Sequence, residues 1–247
     1  MLPNIIGHRI ERASTTPSTN SWAREYLSEP DSHGMVLIAS HQSEGRGQKG
    51  STWESESGKN ITLSIILRPT FLKHSAQFLI SKAVSLAVCD TLQPIADVVS
   101  IKWPNDIYVN DRKIAGILVE NTVVGGSIES SIVGIGLNVN QMDFSDEVPN
   151  PTSVVMELGR TMELDQVLWN LCNCLNRRYN QLQEQPQEIE ANYLQSLYRR
   201  DNFYPYHSGG KVFNARIFDV KTTGELMLET EHGDIVGYQI KQVAYSL

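Results

Sequence analysis

The sequence predicts an α+β protein, with a mixed sheet and flanking helices in a large first domain and a small barrel-like all-β module after it. Three observations carry that expectation. Strand-period and helix-period segments both occur within the first 200 residues. The last 47 residues change character, offering short strand candidates separated by turn signals such as Thr-Gly and His-Gly-Asp. At 247 residues, and with about 150 residues per domain as a prior, the chain has room for one sizeable domain and an appendage. The boundary falls near Arg200, dividing the chain into 1–200 and 201–247.

The elements follow in order. An extended start, 5–13, leads into Ser-Thr-Thr-Pro-Ser-Thr-Asn, a run of N-cap and turn residues. Trp22, Ala23, Tyr26 and Leu27 then repeat at helical spacing. Residues 35–40 form a short buried strand, and a Gly-rich stretch runs from 44 to 60. Ile61, Leu63, Ile65 and Leu67 alternate with Thr62, Ser64 and Ile66 in a strand largely apolar on both faces. Residues 78–92 have helical periodicity, and strands are expected over 99–103, 113–120 and 128–139. Helices are expected over 164–183 and 187–198, and the closing strands over 211–218, 225–229 and 235–240.

Composition excludes several classes. With 40 % hydrophobic and 20 % charged residues, 17 Gly and 10 Pro, the chain is neither disordered, collagenous nor coiled coil. Its longest apolar run, Met35 to Ala39, is too short for a membrane span of about 20 residues or a signal-peptide core of about 7. A cytoplasmic location is therefore expected. Cys89, Cys172 and Cys174 form no CxxC, the six histidines are scattered, and no metal site built from protein ligands is expected. A net charge of −7 without a basic stripe argues against duplex binding.

Two constellations carry chemistry. Gly45 to Gly50 (GRGQKG) matches G-x-G-x-x-G, but a loop and another strand follow it instead of a helix. No Asp or Glu lies between Ser57 and Val88 to meet a ribose, so the dinucleotide reading fails. The P-loop fails as well, because Lys49 precedes Gly50, and no nucleophile elbow G-x-S-x-G exists in the chain. What remains is a phosphate-ester clamp: glycines let the backbone close on a ligand, while Arg46 and Lys49 neutralise phosphate. The second constellation is KWPNDIYVNDRKIAGILVEN, from Lys102 to Asn121. Singly, Asp106 reads as a turn residue, Lys113 as a solvated lysine and Trp103 as core. Gly116 inside an apolar strand suggests close approach of a ligand or another backbone. GIGLNVN, 134–140, similarly puts Gly136 and Asn138 at a strand end.

Together, Ser18-Thr19-Asn20, QSEGRGQKGSTW at 42–53, KWPND at 102–106, KIAGILVE at 113–120 and GIGLNVN resemble the biotin protein ligase family, in its order and spacing. The resemblance covers essentially the whole chain. It implies a class II synthetase-like catalytic domain and a small SH3-like C-terminal β-barrel. It also implies ATP-dependent activation of biotin to biotinoyl-AMP, then transfer to one lysine of a biotin carboxyl carrier protein.

Site roles follow from the same resemblance. Ser18, Thr19, Asn20 and Gln42 match positions lining the biotin site, with Gly47, Gln48 and Gly116 beside them. Lys113 matches the lysine that meets both the biotin carboxylate and the α-phosphate, where a compact ammonium offsets the repulsion of two anions. Arg46 and Gly47 match the loop closing over the adenylate, which shields the mixed anhydride from water. Asp106 matches a carboxylate tied to ATP and Mg²⁺ that can also take the acceptor amine's proton. Lys49, Trp53 and Asn138 match nucleotide contacts, with Trp53 stacking on adenine. Arg46, Asp106 and Lys113 form the expected catalytic set.

Gln48 departs from the family's commonest loop, which has a second Arg there. Lipoate ligases share the fold but carry an RRxxGGG-type loop, absent here. Lipoate or octanoate ligation and non-catalytic biotin binding are the alternative readings. Some relatives are also DNA-binding repressors. With the first motif at Ser18, 17 residues precede it, too few for a helix-turn-helix module, so the form lacking that domain is expected. No nucleic-acid or membrane partner is expected, and monomer and homodimer both remain open.

Overall fold

The computed structural model describes residues 4–48 and 50–246. The first strand, β1 (Ile10–Thr16), begins later than the extended start expected from residue 5. The side chain of Asn176 explains this: its Oδ1 accepts hydrogen bonds from the amides of Ile5 and Ile6, each at 2.8 Å, and holds that segment off the sheet. Then come α1 (Thr19–Arg24), β2 (Val36–Gln42), β3 (Ile61–Leu67) and α2 (Phe78–Leu92). Next are β4 (Val99–Lys102), β5 (Asp106–Val109), β6 (Arg112–Val124) and β7 (Ser127–Leu137). The helices α3 (Val154–Leu158), α4 (Leu164–Glu184) and α5 (Pro186–Gln195) close this part of the chain.

These strands form one seven-stranded mixed sheet, ordered β1-β2-β3-β7-β6-β5-β4. Only β1 and β2 run parallel; every other neighbouring pair is antiparallel. Strand alternation splits the side chains between two layers. Val36, Ile38, Leu63, Ile65, Val133 and Ile135 face the large core beneath α2, α4 and α5. On the opposite face Leu37, Ile66 and Ile132 join Met35 and Ala23 in a smaller cluster under α1. α1 covers only part of that second face, and the remainder is where the cleft forms.

The last elements are β8 (Tyr204–Ser208), β9 (Lys211–Val220), β10 (Leu226–Thr230), β11 (Ile235–Tyr238) and β12 (Ala244–Tyr245). They make an antiparallel sheet ordered β11-β10-β9-β8-β12, and its two end strands do not pair with each other. The expected SH3-like β-barrel is thus corrected to an open five-stranded sheet. Closure requires hydrogen bonding between the first and last strands, and here those edges carry four and two residues. The apolar face is covered from outside instead. Tyr206, Ala215, Ile217, Leu226 and Leu228 belong to the same core as Phe78, Ile189 and Tyr193 of the helical layer. The sheet is also tied down by hydrogen bonds from Trp103 Nε1 to Gly224 O at 3.0 Å and from Phe78 N to Thr222 O at 3.0 Å.

Candidate active site

A cleft with about 240 Å³ of free space opens on the sheet face that α1 leaves uncovered. Its floor is β6 and β7, where Gly116 and Gly136 sit opposite each other in register. The indole of Trp53 lies across them. A Cβ on Gly136 would fall 2.2 Å from Trp53 Cε2, and one on Gly116 would fall 2.9 Å from Cζ3. Those glycines are therefore spaces for the ring. Trp53 Nε1 is buried there without a hydrogen-bond partner among the described residues.

Lys113 reaches the same floor through an irregularity. Ile107 pairs with Ala115 but its neighbour Tyr108 pairs with Lys113, so Ile114 is an extra residue on β6. Such a bulge re-aims the side chains before it. It turns Lys113 toward Gly116, where Lys113 Cε would lie 3.6 Å from an added Cβ. Lys113 Nζ forms an ion pair with Asp106 Oδ1 at 2.7 Å and lies 5.7 Å from the Trp53 ring centroid. Asp106 opens β5 after the Trp103-Pro104-Asn105 turn. That turn is pinned to β6 by Asn105 Nδ2 donating to Ile117 O at 2.8 Å and Ile117 N donating to Asn105 O at 3.0 Å. Behind the pair, burial pulls Lys102 below the usual lysine pKa, opposed by the Asp106 charge and reinforced by Lys113.

The other wall is polar and cross-linked. Gln42 Oε1 accepts from Thr19 N at 2.8 Å and from Thr19 Oγ1 at 3.1 Å. Ser64 Oγ donates to Asn20 Oδ1 at 2.6 Å and lies 2.8 Å from Thr19 Oγ1. Asn20 Nδ2 in turn donates to Glu120 Oε2 at 2.8 Å. Glu120 also pairs with Arg24 at 2.6 Å and Arg46 at 3.5 Å, so one carboxylate anchors both α1 and the glycine loop. The loop closes on itself, with Gly47 N donating to Ser51 O and Trp53 N to Gly45 O, both at 2.9 Å.

The structure thus brings Ser18, Thr19, Asn20, Gln42, Arg46, Gly47, Gln48, Trp53, Asp106, Lys113 and Gly116 to one cleft. Lys49 lies outside the described residues. Asn138 is not part of the lining; it is buried beside the cleft, its Nδ2 donating to Thr152 O at 3.0 Å. Its Oδ1 has no partner among the described residues. The sequence did not mark Asn105, Gly134, Gly136 or Lys241 as site residues, yet all line the cleft. Glycines alternating along β7 were a readable signal for the second and third. For Lys241 none existed, because it arrives from the other sheet. Among the described residues no group of three or more His, Cys, Asp or Glu is placed to hold a metal.

A family model described as the biotin/lipoate A/B protein ligase family matches residues 11–138. The chain belongs to this family. The bifunctional ligase/repressor BirA of Bacillus subtilis is 33 % identical over 180 residues, covering 71 % of this chain and 55 % of that protein. The biotin–[acetyl-CoA-carboxylase] ligase of Mycobacterium tuberculosis is 31 % identical over 182 residues, covering 67 % of this chain and 66 % of that one. The chain therefore spans little more than half the length of the first of these relatives. The structure of biotin protein ligase from Aquifex aeolicus in complex with biotin and ATP superposes with a TM-score of 0.78 at 22 % identity. That likeness spans 97 % of this chain and all of the other, and it is one of fold. Every member position quoted for the family's polar wall, glycine loop and Lys-bearing strand falls within the matched 11–138 segment.

Proposed function

We propose that this chain joins biotin to ATP as biotinoyl-AMP and passes the biotinoyl group to a lysine of a biotin carrier protein. The observation that carries this reading is the cleft itself. It sets a hydroxyl and amide wall (Ser18, Thr19, Asn20, Gln42), beside which Arg46 shares the Glu120 carboxylate with Asn20, in one cleft with a cationic end at Lys113. The wall suits a neutral ureido ring, with both donors and acceptors. The cationic end suits a carboxylate meeting a phosphate.

In the first step a carboxylate oxygen of biotin attacks the α-phosphorus, and the bond to the pyrophosphate oxygen breaks. Lys113, paired with Asp106 at 2.7 Å, is assigned to bridge the two anions. In the second step the carrier amine attacks the acyl carbon, loses a proton and expels AMP. Asp106 is the carboxylate nearest Lys113 and is assigned the acceptor proton. Mg²⁺ would be held with the triphosphate by Asp106, the one carboxylate among the described residues of the lining, in keeping with a cation that binds through one or two carboxylates plus substrate phosphates. When bound, it neutralises charge on the phosphates.

The test is biotin-dependent ATP–pyrophosphate exchange, with mass spectrometry of a biotin carrier domain after incubation with biotin, ATP and Mg²⁺. Exchange lost in Lys113→Ala and one biotin added at one lysine are the expected results. Exchange with lipoate or octanoate but not biotin would move the chain to the sister activity of its family. Biotin binding without exchange would leave it a non-catalytic binder.

A further inference from the structure

One carboxylate and one backbone amide fix the direction of the hydrogen bonds in the polar wall. Glu120 Oε1 faces Arg24 at 2.6 Å and Oε2 faces Arg46 at 3.5 Å, and a salt-bridged carboxylate only accepts. The Asn20 atom set 2.8 Å from Oε2 is therefore Nδ2, which turns Oδ1 to Ser64 Oγ at 2.6 Å. At the other end Thr19 N, at the start of α1, donates to Gln42 at 2.8 Å, so the atom it meets is the amide oxygen Oε1.

Between these two amide oxygens stand two hydroxyls. Ser64 Oγ and Thr19 Oγ1 lie 2.8 Å apart, with Ser64 against Asn20 Oδ1 and Thr19 against Gln42 Oε1 at 3.1 Å. Each hydroxyl carries one proton, and the flanking oxygens only accept. Three contacts thus share two protons, so one of them is always oxygen against oxygen and the chain is one donor short. Ser64 is fully buried and Thr19 lines the cleft, so the missing donor has to come from the cleft.

We infer that Glu120 is a specificity-determining residue of the cleft: acting through Asn20 and Ser64, it keeps Thr19 Oγ1 an acceptor, so the wall selects a ligand that brings an N–H. This rests on the biotin reading above, because a cyclic urea carries an N–H on either side of its carbonyl. Glu120 acts at a distance, as a positioning residue, since neither it nor Ser64 lines the cleft. Glu120→Gln reverses the chain. Arg24 donates, so it holds the introduced amide by its oxygen and turns the NH₂ toward Asn20. Asn20 then flips, offers Nδ2 to Ser64 and supplies the missing donor from inside the protein. The wall no longer needs the ligand's N–H.

The experiment measures biotin binding by calorimetry in the full chain, in Glu120→Gln, in Ser64→Ala and in the double variant. Kd should rise about tenfold in Glu120→Gln, the loss of one hydrogen bond. Ser64→Ala cuts the chain, because Thr19 then donates to Gln42 whichever way Asn20 faces. In that background Glu120→Gln should change Kd by less than about twofold. Equal losses in the two backgrounds would overturn the inference, since they mark Glu120 as a plain anchor for Arg24 and Arg46. So would a Kd within about twofold of the parent in Glu120→Gln alone. Nuclear Overhauser contacts of the isotope-labelled Asn20 side-chain amide read the direction without ligand. Its protons should lie beside Glu120 in the parent, a result that stands even if the variant fails to fold, and beside Ser64 in Glu120→Gln. Protons beside Ser64 in the parent, or no flip in the variant, would sink the assignment. If the parent binds no biotin, the biotin reading fails by itself and the flip alone decides whether Glu120 sets the wall's direction.

Discussion

Gly134 gives the sharpest test of how the polar wall is built. It lies on β7, where a Cβ would fall 2.4 Å from Asn20 Oδ1 and 3.1 Å from its Cγ. Asn20 is 3 % exposed and held by Glu120 on one side and Ser64 on the other. Gly134→Ala must therefore push the amide out of both bonds or push the strand away. A hydrogen bond to a charged group contributes about 1.5–3 kcal/mol and a neutral one about 0.5–1.5. Against that loss, Ala in an extended strand regains about 0.5–1 kcal/mol over Gly. The net cost is about 1–4 kcal/mol, and at about 2–4 °C per kcal/mol the middle of that range lowers Tm by roughly 5–10 °C. The assay is a double-mutant cycle by denaturation with Asn20→Ala. Once the amide is gone the methyl has room, so Gly134→Ala in that background should be neutral or slightly stabilising. Equal costs in the two backgrounds would refute the reasoning, because the methyl would then be clashing with something other than Asn20.

Other outcomes follow from particular contacts. On the ligase reading proposed above, Gln48→Arg would offer the adenylate phosphate a charged hydrogen bond in place of a neutral one, a difference of about 1–1.5 kcal/mol, and should slow biotinoyl-AMP release roughly tenfold; equal release rates by rapid filtration would remove the idea. His33 is half-buried and its Nδ1 accepts from Arg68 N at 3.1 Å. Burial first, and the Arg68 charge second, hold its pKa below the ordinary 6.5. Below that value the unfolded chain binds the proton more readily, so stability should fall as pH drops from 6.5 through the lowered folded-state value. His33→Gln should flatten that decline in urea titrations at several pH values, and an unchanged pH slope would count against it.

Much of the site was legible because its parts are local strings. Ser18-Thr19-Asn20 sits at the start of α1, with Thr19 and Asn20 in its first turn, and Asp106 closes a turn whose Pro-Asn pair announces it. β5 was not legible, since four residues between two turns carry too little periodicity to separate strand from loop. β8 escaped because Tyr-Pro-Tyr-His-Ser has a proline and no aliphatic residue to mark a strand, β12 because it is two residues long, and α3 because five residues hold hardly more than one turn. Asn138 carried a strand-end motif, but only the packed structure puts its amide against Thr152.

By itself the sequence determined the alternation that builds the seven-stranded sheet, the helical layer beneath it, and which short strings hold the polar and charged groups. Those properties depend on neighbours within a few residues. Tertiary structure alone decided the rest. Strict alternation would put Lys113 and Gly116 on opposite faces of β6, and only the pairing partner reveals the extra residue at Ile114 that brings them together. The same holds for the second sheet. Its strands read as a barrel while considered alone, yet their apolar face packs into one core with Phe78, Ile189 and Tyr193 of α2 and α5 instead of closing on itself. That docking is also what carries Lys241 to the glycine loop, a contact set by two folded surfaces meeting and written in no local pattern.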